Sequence, residues 1–197
     1  LRSKSLDRDS YNAGDWFNRL DYSYASNNFG VGLPMAGVNR DNWGLMTPIL
    51  ENPLIKPDRA AILSAKSAFE DLLAIRMDSS LFRLRTAKDV MERLRFHNTG
   101  PDQEPGLIVM RIDGEEPSRY KDANYRSVVV LFNVDKEAKT VAIPELKGLR
   151  LKLHKVQRKS DDPVVKTSGY SAAGGSFTIP ARTTAVFVEQ GNGRDDD

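Results

Sequence analysis

Between residues 81 and 190, short apolar runs alternate with clusters of turn-forming residues, and that punctuation restricts the region to a β architecture. Candidate strands lie at 91–96, 107–112, 127–134, 139–143, 149–156, 176–179 and 184–189. Asn98-Thr99-Gly100-Pro101, Asp113-Gly114 and Gly174-Gly175 stand between them, residues that favour turn backbone. Within 149–156, Leu149, Leu151 and Leu153 alternate with Arg150, Lys152 and His154. A strand's period of two sends those leucines to a core and their neighbours to water. Many short strands separated by turns predict an antiparallel β-sandwich, so the chain as a whole is expected to be mostly β. The Gly- and Asp-rich tail, 191–197, is expected to be disordered.

The region before the sandwich reads differently. Residues 58–77 carry Ile62, Phe69, Leu72 and Leu73 at helical spacing, with Ala60, Ala61, Ala65, Ala68 and Ala74 among them. Asp58 is placed to cap such a helix, and Asp78-Ser79-Ser80 to end it. Residues 1–57 show no clear helical or strand period. They are rich in Asn, Asp, Gly, Ser, Tyr and Pro, yet they carry Trp16, Phe17, Tyr22, Tyr24, Phe29 and Trp43. Disordered linkers are poor in aromatics, so a long structured loop is expected, and such loops are often binding elements.

Composition removes several classes of function. With 29 basic and 27 acidic residues the net charge is +2, which gives no case for nucleic acid or an anionic membrane as partner. No cysteine occurs, which excludes disulfides and thiolate catalysis but leaves the compartment open. The two histidines, His97 and His154, lie far apart without a ligand cluster, so structural or surface roles are expected of them rather than metal binding. Gly174-Gly175 lacks the strand–loop–helix setting of a phosphate loop and reads as a hairpin turn; no Gly-x-Ser-x-Gly elbow is present.

The densest chemistry lies in residues 5–18, Ser-Leu-Asp-Arg-Asp-Ser-Tyr-Asn-Ala-Gly-Asp-Trp-Phe-Asn. A fixed cation, several acceptors and flat aromatic surfaces suit a sugar, whose hydroxyls need paired polar groups and whose ring face is apolar. The same residues suit a solvated loop of Asp–Arg pairs with its aromatics buried beneath.

Residues 2–18 resemble the segment that follows the last barrel strand in pullulanase-type starch-debranching enzymes and limit dextrinases, α-1,6-glucosidases of glycoside hydrolase family 13. The likeness continues through Asn27-Asn28-Phe29-Gly30-Val31-Gly32-Leu33-Pro34 and Asp41-Asn42-Trp43. It resumes at Ser80-Leu81-Phe82-Arg83-Leu84 and at Arg95-Phe96-His97-Asn98-Thr99-Gly100-Pro101. It ends with the run from Pro180 to Val188. The resemblance implies that 1–78 is the end of a catalytic (β/α)8 barrel, namely the loop after strand eight and the final helix. It implies that 79–190 is an all-β C-terminal sandwich. The first residue is Leu1, not Met, and the chain is expected to be a C-terminal fragment.

The resemblance implies hydrolysis of α-1,6 branch points in pullulan, starch or limit dextrins. Retaining chemistry of this kind needs two carboxyls roughly 5 Å apart. The family's Asp nucleophile, Glu acid/base and third Asp would all precede Leu1, so no catalytic residue is expected here and the fragment alone is expected to be inactive. Substrate contacts are expected at Arg8 and Asp41, with Asp9, Tyr11 and Trp43 as further candidates. An Arg8–Asp41 salt bridge that pins the loop is the alternative. Expected partners are α-glucans and the barrel, with no nucleic acid and no membrane. No cofactor is implied, and calcium stays open for the intact enzyme. The family's compartment would be a plastid in plants or algae, and secreted or periplasmic in bacteria. A non-catalytic carbohydrate-binding sandwich and a purely structural module are the rival readings.

Overall fold

The computed structural model describes residues 22–25, 33, 36–114 and 124–191. The chain forms two compact units, Leu1–Ser67 and Ala68–Asp197. The expected disordered tail falls, beyond Gly191, outside the described residues.

In the first unit, α1 (Ala36–Asn39), a 3-10 turn (Arg40–Asn42) and α2 (Trp43–Leu50) follow one another without a break. This corrects the reading of a loop for 36–55, whereas most of residues 1–35 lie outside the described residues. The helical period was hidden because the run is short, changes pitch at Arg40–Asn42 and contains Pro48. Thr47 Oγ1 donates to the Trp43 carbonyl at 2.8 Å. Leu50 and, on the next helix, Ile62 are buried. A second 3-10 turn, Pro53–Ile55, is capped by Asn52, whose Oδ1 accepts from Leu54 N at 3.0 Å.

Helix α3 (Arg59–Asp78) appears where the alanine-rich period places it. Asp58 Oδ1 accepts from Ala61 N at 2.7 Å, the expected N-cap. Ser79 ends the helix by capping the 3-10 turn Ser80–Arg83, its Oγ accepting from Leu81 N.

The second unit is built on two antiparallel sheets. Its strands are β1 (Leu94–His97), β2 (Leu107–Asp113), β3 (Tyr125–Asn133), β4 (Lys139–Ala142), β5 (Leu151–Leu153), β6 (Gly169–Ser171), β7 (Ser176–Ile179) and β8 (Thr183–Gln190). The five-stranded sheet runs β1-β2-β3-β8-β5 and the three-stranded sheet β4-β7-β6. Helices α4 (Ala87–Arg93) and α5 (Lys155–Lys159) punctuate them.

The central pair β3 and β8 shows how the layers form. Val129 pairs with Phe187 and Leu131 with Ala185. These side chains join Phe177, Ile179, Ile143 and Leu146 in the core between the sheets. Val128 pairs with Val188 and Val130 with Val186, and these face the opposite way. There they meet Ile75 from α3 and Leu81 from the following turn. Both faces of the large sheet are therefore covered, which is why β3 is almost continuously buried instead of alternating.

Several strand boundaries differ from expectation. Residues 91–93 are the end of α4, not the start of a strand. Thr86 caps that helix by accepting from Asp89 N at 3.1 Å and donating to Asp89 Oδ2 at 2.7 Å, a local signal stronger than the apolar run it precedes. The strand expected at 149–156 is confined to Leu151–Leu153, because His154 turns the chain and caps α5. His154 was expected on the wet face; its side chain is fully buried. The strand expected at 139–143 stops at Ala142, before the 3-10 turn that Pro144 begins. β6 was not anticipated: Gly169-Tyr170-Ser171 is too short to show a period.

The Gly174-Gly175 turn does join β6 to β7. Gly175 has φ +62°, and a Cβ there would lie 2.6 Å from the Ile143 carbonyl oxygen. The same close approach lets Gly175 O accept from Ile143 N at 2.9 Å.

Candidate functional site

Of the sugar-contact candidates, Arg8, Asp9 and Tyr11 lie outside the described residues. Asp41 and Trp43 fall in the helical run of the first unit. Asp41 occupies the 3-10 turn and is exposed to solvent; Trp43 opens α2 and is half-buried. The tight turn between two α-helical pieces holds Asp41 and Trp43 within three residues of chain. A carboxylate can accept from a hydroxyl, and an indole can shield a ring face. Nearby in sequence, Asn39 is buried. Tyr24, at φ 58°, has the Lys66 ammonium 5.6 Å from its ring centroid.

In the second unit, the end of β1 and the turn after it face the stretch from Val141 to Glu145 across a cavity of about 350 Å³. His97, Asp102, Gln103 and Glu145 line it. His97 Nδ1 is 4.0 Å from Glu145 Oε2, while its Nε2 is buried without a hydrogen-bond partner. Burial pushes the His97 imidazole below its usual value; Glu145 works against that shift and Arg111 with it. A neutral imidazole beside an exposed carboxylate can offer hydrogen bonds to a polar ligand. Among the described residues, no three His, Asp or Glu side chains converge as a metal ion would require.

A second polar cluster, missed by sequence reasoning, joins Asp78, Tyr125, His154 and Lys155. Asp78 Oδ2 accepts from Tyr125 Oη at 2.5 Å and lies 3.1 Å from His154 Nε2. Lys155 Nζ lies 3.1 Å from Asp78 Oδ1. Burial alone would raise the Asp78 carboxyl, but the Tyr125 hydrogen bond and the Lys155 ammonium hold it below the usual carboxylate value. Burial lowers His154 despite the neighbouring carboxylate. The His154 imidazole is fully buried, while Asp78 and Lys155 keep partial exposure. Only the long-range pairing of residues 78, 125 and 154 brings it together, so no local motif announces it.

The fold, an antiparallel sandwich with the end of a long helix against its large sheet, matches known proteins closely. Residues 24–190 match the family described as alpha-1,6-glucosidases, pullulanase-type, C-terminal. The chain is similar to the chloroplastic pullulanase 1 of Arabidopsis thaliana, with 54% identity over 98% of this chain and 20% of that protein. Similarity to the pullulanase of Klebsiella pneumoniae is 36% identity over 95% of this chain and 17% of that one. Among solved structures, a maltotriose complex of Klebsiella pneumoniae PulA superposes with a TM-score of 0.81 at 33% identity, covering 98% of this chain and 21% of that one. The chain belongs to the pullulanase-type α-1,6-glucosidase family and corresponds to its C-terminal region. It spans about a fifth of the length of the curated relatives it matches.

Proposed function

We propose that the chain is the C-terminal part of an enzyme that hydrolyses α-1,6 branch points of pullulan, starch or limit dextrins. Residues 1–78 complete its catalytic barrel, and 79–190 form a stabilising sandwich. The observation that carries this reading is the family match over residues 24–190, joined by 54% identity to the Arabidopsis pullulanase over 98% of the chain. The nucleophile and the acid/base reside in the barrel. The proposed reaction needs two carboxyls and water, and no cofactor.

The role of this chain is to hold substrate. The Arg8 guanidinium donates to neighbouring glucose hydroxyls while Asp41 accepts from them, and Asp9, Tyr11 and Trp43 complete the surface. The exposed position of Asp41 and the half-buried Trp43 support contact with a ligand. A face for the barrel is supported by α3, where Phe69, Leu72, Leu73 and Met77 are apolar yet exposed. A free-standing carbohydrate-binding sandwich has less support: among the described residues of 79–190, Phe96 is the one large aromatic that is exposed.

Grafting tests the proposal. Joined to the catalytic portion of the Arabidopsis relative in place of its own C-terminal fifth, the chain should yield an enzyme that releases maltotriose from pullulan. The chain alone should release none above a blank. Hydrolysis by the isolated chain, or a folded but inactive chimera, contradicts the proposal.

A further inference from the structure

The end of α3 meets the large sheet at the Asp78 carboxylate. Asp78 Oδ2 is shared by Tyr125 Oη at 2.5 Å and His154 Nε2 at 3.1 Å, and these two atoms are 3.3 Å from each other. Asn124 Nδ2 donates to the Asp78 carbonyl at 2.6 Å. On the other side of the ring, His154 Nδ1 accepts from Val156 N at 3.2 Å and so caps α5. Nδ1 therefore carries no proton, and the proton of the neutral ring sits on Nε2, facing Asp78. A second proton has one place to go, Nδ1, where it would oppose the Val156 N–H donor to donor.

The charges around this ring pull in both directions. Asp78 reaches it from α3 and favours the imidazolium. Lys155 and Arg158 from α5 disfavour it, and so does the burial of the ring. Tyr125 from β3 presents a phenol already engaged with Asp78. From α5, Gln157 presents a neutral amide, tied to Thr184 O and Val186 N. Among the described residues, one carboxylate thus works against two cations, desolvation and a hydrogen bond that protonation must break.

We propose that Asp78, Tyr125 and His154 form a proton-operated latch, which holds the last turn of α3 and the start of α5 on the sheet while His154 is neutral and releases both when it takes up a proton. The proton comes from solvent and binds Nδ1. The Val156 N–H···Nδ1 bond is lost, and the ring must leave its buried seat to be hydrated. Release uncovers Ile75 and Leu81, the apolar side chains that α3 and the following turn lay on Val128, Val130, Val186 and Val188.

The test uses the full 197-residue chain, which has two histidines whose ring resonances need to be told apart. At pH 7.5 the ring nitrogens of His154 should report a proton on Nε2 and none on Nδ1. Amide exchange, corrected for its intrinsic pH dependence, should then be followed from pH 7.5 to 5.5. Below about 6.5 the opening constant of residues 72–80 and 154–159 should rise up to about tenfold per pH unit, the slope of one proton, while β3 and β8 stay protected. His154→Gln, which keeps a donor and an acceptor but cannot titrate, should abolish that slope. If that variant does not fold, the native chain's resonances and exchange decide alone. A proton on Nδ1 at pH 7.5 overturns the latch. So does His154 titrating near 6.5 with α3 still protected, or simultaneous loss of protection in helix and sheet.

Discussion

Single residues carry the turns and corners of the sandwich. Asn133 donates through Nδ2 to Glu137 O and Pro180 O, each at 2.8 Å, and its Oδ1 accepts from Asp135 N at 3.0 Å. One buried amide thereby ties the turn after β3 to the turn before β8. Gly175 fixes the opposite corner, where positive φ and the Ile143 carbonyl leave no room for a Cβ. Gly175→Ala should destabilise the sandwich by about 1–3 kcal/mol, the cost of forcing a side chain into left-handed backbone against a fixed atom. Urea unfolding measures it; an unchanged midpoint would mean that the corner relaxes. Phe187 sits in edge-to-face contact with Phe177, ring centroids 5.2 Å apart, and is buried. Phe187→Ala should cost about 3–5 kcal/mol, and a loss below 1 kcal/mol would show that the core refills the space.

At the scale of elements, legibility in the sequence followed the range of the forces. Helix α3 was legible because Asp58, its alanines and Ser79 act locally, and β3 and β8 because their apolar runs are long. Helix α4 was misread because Val90, Met91 and Leu94 look like strand residues, while the decisive interaction, the Thr86–Asp89 cap, precedes them. Thr86→Ala should therefore cost about 1 kcal/mol, and amide exchange in Ala87–Arg93 should accelerate without a matching change in β8. Equal acceleration in both would place the effect in the whole sandwich. His154 was misread for the opposite reason. Its alternation with Leu153 is local, but its burial depends on Asp78, 76 positions earlier. The candidate sugar contacts were legible only through the wording of the motif, since no periodicity marks Arg8 or Asp41.

For the whole molecule, the ionisable groups inside the sandwich set the direction of acid sensitivity. His154 has its folded value below the ordinary 6.5, so the unfolded chain binds the proton first as pH falls. Its contribution is complete above about 6.5 and is lost below it. Asp78 is also held below its ordinary 3.8; its contribution persists to lower pH and is lost as pH falls through the folded value. Both signs agree, so the urea midpoint should fall on acidification from pH 7 to 5 and fall again below about pH 4. A midpoint that rises between pH 7 and 5 would contradict this.

The proposed division of labour gives the sandwich a bracing role and the segment before it a hold on sugar, for carboxyls located elsewhere. Asp41 tests that division most directly, because it is exposed in its own unit, on a 3-10 turn. The decisive measurement is kcat/KM for pullulan in the barrel chimera carrying Asp41→Ala, with its melting temperature taken in parallel. Loss of one charge-assisted hydrogen bond is worth about 1.5–3 kcal/mol, so a fall of roughly ten- to hundredfold is expected, with the melting temperature unchanged. An unaltered kcat/KM, or a fall that comes with a lowered melting temperature, would contradict the account and return Asp41 to the role of pinning its own loop.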